Sequence, residues 1–166
     1  MKFLVYGGVV LLIIPFQTVI IHHFSIGGIV PDAILLTVCL VGWWRGELEA
    51  VVLGLVFGFL QDLLSGATVW LNLMTKPLIG LVMGMLGHRL RPLTPWVLPI
   101  LIMGISLVSG LLVLVLLQAS SSEIDMTQVL LGIVLPQVLY DGVFGAIVVS
   151  VSCRLFPIGH RRVWNL

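Results

Sequence analysis

The sequence predicts an all-α integral membrane protein built as a single bundle of six transmembrane helices, with both termini on the cytoplasmic side. Three observations predict it. Of 166 residues, 60% are hydrophobic and only 9% are charged, with a mean hydropathy of +1.23, whereas a water-soluble domain carries about 25% charged residues. The apolar residues gather into six runs, most of them near the roughly 17–25 residues that cross a bilayer. The breaks between runs alternate, one carrying Lys or Arg and the next carrying none.

The first run covers about residues 3–21. It is longer than a signal-peptide core and no A-x-A-like site follows it, so it is expected to stay as a helix. The second, 32–44, is short. It follows a turn at Gly27-Gly28, and Pro31-Asp32 marks its start, with Asp32 as N-cap. Arg45-Gly46-Glu47 breaks the chain before the third run, 48–64. The fourth is 69–87. A segment with Pro92 and Pro95 separates it from the fifth, 96–118, and a polar stretch with Glu123 and Asp125 precedes the sixth, 128–154. All connections are short, which makes neighbouring helices antiparallel and leaves residues 1–166 as one domain. Lys2, Arg45, Arg89, Arg91, Arg154, Arg161 and Arg162 then share one face of the membrane, and the positive-inside rule makes that face cytoplasmic. Trp43, Trp44 and Trp96 stand beside these residues, as an aromatic belt would.

Three ionisable groups fall inside the runs: Asp62, Lys76 and Asp141. Each costs about 2.5–3.5 kcal/mol at a helix centre on insertion scales, so each is expected to face protein rather than lipid. At helical spacing Gly54, Gly58 and Asp62 share a face of the third helix. Asn72, Lys76, Gly80 and Gly84 share one of the fourth. Both faces carry a small-x-x-x-small ridge suited to close approach. Side chains lean toward the N-terminus of their own helix, so Asp62 and Lys76 lean toward each other across the hairpin. Asp62 is therefore expected to pair with Lys76 or to cap the turn at Ser65-Gly66. Asp141, beyond Pro136, has no evident partner; it reads as a proton carrier or as a hydrogen-bonded buried acid.

Catalytic signatures are missing. The chain has no H-E-x-x-H, no G-x-x-x-x-G-K-[ST] and no G-x-S-x-G. His22-His23 has no third ligand, and Cys39 and Cys153 fall on different helices. No basic-aromatic patch suggests nucleic acid. The expectation is a protein without enzymatic activity, cofactor or metal.

Residues 31–36 (P-D-A-I-L-L), Arg45-Gly46, and Gly54 to Gly66 (G-L-V-F-G-F-L-Q-D-L-L-S-G) resemble the rod shape-determining MreD family. That family's pattern is roughly P-[DN] with an apolar run, R-G, then G-x-x-x-G-x-x-x-D-L-x-S-G. The chain departs from it at Trp70, where the family usually has Gly, at Lys76, where it has an apolar residue, and at Asp141, where an amide or small residue is expected. The resemblance implies a fold like the substrate-binding S components of vitamin transporters. It also implies a non-enzymatic scaffold in the bacterial inner membrane, serving peptidoglycan synthesis during cell elongation. The implied partner is MreC, a single-span membrane protein, with MreB filaments and the RodA–transpeptidase pair engaged indirectly. On this reading the small face with Gly54 and Gly58, and the outer turn from Asp62 through Ser65 and Gly66 to Asn72, would meet the partner. The alternatives are an S-component-like vitamin-binding subunit and an ion-coupled carrier using Asp62, Lys76 and Asp141. Short outer loops count against the first, and the lack of a repeat against the second.

Overall fold

A computed structural model describes residues 30–65, 70–90, 97–120 and 126–155, together with Gly8, Ile13 and Gln17. The rest of the expected first helix, Gly66, the Pro92–Pro95 segment, Glu123, Asp125 and the Arg-bearing tail lie outside these residues. Helix is the only regular secondary structure among the described residues. From residue 30 onward the described residues form five helices: α1 Ala33–Arg45, α2 Glu47–Ser65, α3 Leu71–Leu90, α4 Val97–Ser120 and α5. The last comprises Met126–Val129, a π-helical stretch Leu130–Val134, and Leu135–Leu155. They stand where the second to sixth apolar runs stand in the sequence.

A single residue, Gly46, joins α1 to α2. Its φ of 103° suits glycine and strains any other residue. Its N–H closes α1 on the Gly42 carbonyl at 3.1 Å. The pair α2–α3 is antiparallel and crosses backbone to backbone. A Cβ on Gly54 would lie 2.7 Å from the Lys76 carbonyl, and one on Gly80 would lie 2.6 Å from that of Ala50. Gly58 meets Asn72 and Gly84 meets Glu47 in the same way. The Gly54–Gly58 ridge is thus filled by α3 and offers no seat to a partner. This corrects the expectation drawn from the sequence. Small residues let two helices approach within or between chains alike, and here the fold itself uses them.

In α4–α5 the helices are again antiparallel, with Gly142 under Met103 and Gly110 under Val134. The π-helical stretch ends two residues before Pro136, and the Leu135 N–H reaches back to the Leu130 carbonyl. Proline has no N–H and crowds the carbonyl four residues before it, so a widened turn relieves the clash.

The main core gathers around α1. Ile34, Leu35, Val38, Cys39 and Trp43 pack with Phe57 of α2, Met83 of α3, Ile102 of α4 and Val149 of α5. Trp43 is therefore a core residue rather than a boundary residue: Gly87, having no side chain, lets α3 come close against the Trp43 backbone; Trp44 is the exposed one. The outside is oily: Leu48, Val52 and Phe59 on α2, Met74 and Leu78 on α3, Ile100 and Val108 on α4, and Leu139 and Val143 on α5 are all exposed. Buried charge with exposed oil is the reverse of a water-soluble protein and suits a hydrocarbon solvent. Val97–Val115 and Thr127–Val151 are long and apolar enough to cross a membrane. Helix α1 is apolar but has 13 residues. At 1.5 Å per residue it spans only about 20 Å of a core roughly 30 Å thick.

Candidate functional site: a buried ionic junction

The short helix α1 begins inside the protein, and its first turn is where the polar groups converge. A helix start leaves unsatisfied N–H groups and a partial positive charge, and in an apolar surrounding both need partners. Asp32 supplies the first. Its Oδ1 accepts from the Leu35 N–H at 2.8 Å, while its carbonyl accepts from Leu36 N–H at 3.0 Å. Gln17 supplies the second: its Oε1 accepts from the Ala33 N–H at 2.9 Å, and its Nε2 donates to the Pro31 carbonyl at 3.2 Å. Asp141 supplies the third, accepting the Asp32 N–H at 2.8 Å on Oδ1. Its Oδ2 lies 2.5 Å from Ser106 Oγ.

Lys76 completes the group. Its ammonium forms an ion pair with Asp32 Oδ2. Lys76 is 2% exposed and Asp141 0% exposed, so both are shielded from bulk solvent. Four elements thus meet through side chains: Asp32 on α1, Lys76 on α3, Ser106 on α4 and Asp141 on α5. Ser106 and Asp141 stand near the middles of their helices, so the start of α1 lies level with the middle of the α4–α5 pair.

The expected Asp62–Lys76 pair is not what the structure builds. Asp62 lies at the far end of α2 and reads the first turn of α3 instead. Its Oδ1 accepts from the Asn72 side-chain amide at 2.8 Å and from the Asn72 N–H at 3.2 Å, and its Oδ2 accepts from the Leu73 N–H at 2.9 Å. The lean of the side chains places both groups inward, but a helix start within reach satisfies a carboxylate with several donors at once. Lys76 faces α1 rather than α2, because the backbone crossing at Gly54 lies directly beside it. The cap falls on α3, while the Ser65 side chain and Gly66 lie outside the described residues. Asn72 therefore sits in the Asp62 cap, and Gly54 and Gly58 in the crossing. Sequence reasoning missed Ser106 and Gln17. Neither stands out in a linear reading, and their one signal is polarity inside an apolar run.

The arrangement can lock helices together and can accommodate charge. No group of three or more His, Cys, Asp or Glu side chains able to hold a metal occurs among the described residues. A family model described as rod shape-determining protein MreD matches residues 1–156. No match was found among curated proteins or among solved structures.

Proposed function

The chain belongs to the rod shape-determining MreD family, a membrane protein family, and from that premise we propose that it is a non-enzymatic scaffold subunit of the bacterial cell-elongation machinery. On this proposal the chain crosses the cytoplasmic membrane six times, with both termini inside, and holds an MreC-like single-span protein. MreB filaments and the peptidoglycan synthase are reached through that partner. The observation that carries the reading is the family match along nearly the whole chain. The oily exterior and the two membrane-length helices support it. So do the buried polar groups of the junction and the α3 cap, which bond to one another and hold helices together.

With the glycine ridge used internally, the partner's helix is assigned to an outward surface. The stacked pair Phe59–Trp70, with centroids 6.0 Å apart, stands exposed where α2 ends and α3 begins. Trp is the residue type most enriched at interaction hot spots. Co-expression with a tagged MreC-like protein, followed by purification from membranes, tests the reading. The full-length chain should be captured, and Trp70→Ala should reduce capture at equal membrane abundance. No capture of the wild-type chain overturns the scaffold reading. Undiminished capture of Trp70→Ala moves the interface elsewhere.

A further inference from the structure

The junction at the start of α1 holds more acid than base. Asp32 and Asp141 bring two carboxyls and Lys76 one ammonium, all of them buried. Among the described residues, with every group ionised, one negative charge has no counter-ion. An unpaired ion held out of water is among the costliest features a fold can contain. Lys76 is committed to Asp32, so the surplus falls on Asp141, whose donors are the backbone N–H of Asp32 and the Ser106 hydroxyl, both neutral. One proton removes the surplus. The positions of the heavy atoms fit it: Oδ1 accepts from Asp32 N–H, and at 2.5 Å from Ser106 Oγ a proton on Oδ2 can donate to that oxygen.

We propose that this junction is a proton-binding site, the proton lying between Asp141 Oδ2 and Ser106 Oγ, and that its occupancy governs how the α4–α5 pair docks on the start of α1. Among the described residues, the charged and titratable groups around Asp141 are Asp32 and the Cys39 thiol on α1 and Lys76 on α3; α4 contributes the Ser106 hydroxyl. Release of the proton to water leaves two carboxylates competing for one ammonium at one helix end. The Asp141 contact is a polar bridge that ties α5 to α1, so repulsion there acts on the docking itself. The inference stands on the junction alone and is independent of which partner the chain binds.

The full-length protein in phospholipid nanodiscs, taken from neutral to alkaline pH, gives the test. Infrared spectroscopy reads the carboxylic-acid C=O stretch, and paired spin labels on α1 and α5 read the docking. The neutral-pH wild type should show an acid band that is lost in Asp141→Asn and shifted in Ser106→Ala. The α1–α5 distance should lengthen at alkaline pH in the wild type and stay constant in Asp141→Asn. A wild-type spectrum with no band attributable to Asp141 overturns the proposal, as does an Asp141→Asn protein that moves with pH as the wild type does. Should Asp141→Asn not fold, Ser106→Ala decides by itself: a shifted band supports the site and an unmoved band refutes it.

Discussion

The α2–α3 pair and the α4–α5 pair are both antiparallel and both carry glycines at their contact, yet the glycines meet different things. In α2–α3 a Cβ on Gly54 or Gly80 would run into the backbone of the opposing helix. In α4–α5 a Cβ on Gly110, Gly142 or Gly145 would run into Val134, Met103 or Ile102 side chains. Backbone cannot step aside and a methionine can, so the first crossing is fixed while the second has slack. The polar groups follow the same division. Asp62 caps a helix start at the rim of α2–α3, whereas Asp141 ties the middle of α4–α5 to α1. Within one small bundle, a rigid hairpin and an adjustable one are joined at α1.

The largest effect is expected where the two pairs are joined. Lys76→Met leaves Asp32 buried without its counter-ion, and breaking a buried pair from one side costs about 3–5 kcal/mol. Thermal unfolding in a fixed detergent should show a large loss for Lys76→Met. Lys76→Met combined with Asp32→Asn should recover most of it, since an amide still caps Leu35 and no charge is left unpaired. Equal losses in the single and double variants would show that Lys76 matters for its packing and not its charge.

The contrast between the pairs is sharpened by one methyl group. Gly58→Ala drives a Cβ into the Asn72 backbone and is expected to cost about 1–3 kcal/mol. Gly142→Ala meets Cγ and Sδ of Met103, which must turn to another rotamer about the Cα–Cβ bond, and is expected to cost less than Gly58→Ala, about 1 kcal/mol. Comparing the two unfolding midpoints checks it. If Gly142→Ala were the more damaging, the hairpins would not differ as their geometry indicates.

How much of this was legible in the sequence depends on the range of the interaction. Helix positions follow from apolar runs and from local punctuation: Asp32 before Ala33, Gly46 between two helices, Pro136 after the π-helical stretch. The internal fit of the glycine ridges was legible as a pattern but not in its use, because small residues serve folding and association alike. The partners of Lys76 and Asp141 were not legible. Asp32 lies 44 residues from Lys76 and 109 from Asp141 along the chain, and Ser106 lies 35 from Asp141; helical-wheel reasoning on one hairpin does not report what a third helix brings. The start of α1 was read as a cap, but its depth inside the bundle, which makes it the point of convergence, comes from packing alone.

A smaller effect is expected at the rim. Asp62→Ala removes the acceptor for the Asn72 and Leu73 N–H groups, and loss of such a cap costs about 0.5–2 kcal/mol. The loss should be local. Hydrogen exchange should speed up in the first turn of α3 and not in α1 or α5. Faster exchange throughout α1 would mean that Asp62 supports the junction after all and that the two regions are not separate.

The smallest effect is expected from the change that looks most severe, Asp141→Asn at a fully buried carboxyl. An amide has nearly the shape of the acid. Its oxygen can accept from the Asp32 N–H, and its NH₂ can donate to Ser106 Oγ, the direction a protonated carboxyl would use. If Asp141 already holds a proton, the substitution replaces one neutral donor–acceptor by another, and stability should change by no more than about 1 kcal/mol near neutral pH. Asp141→Leu keeps the bulk and removes both hydrogen bonds. It orphans the buried Asp32 N–H and is expected to cost about 1–3 kcal/mol more than the amide. The ranking of the two variants by thermal unfolding separates shape from charge. Equal damage from Asn and Leu would show that the negative charge itself holds α5 to the positive end of α1, and the adjustable pair would then be held by an ion rather than by a proton.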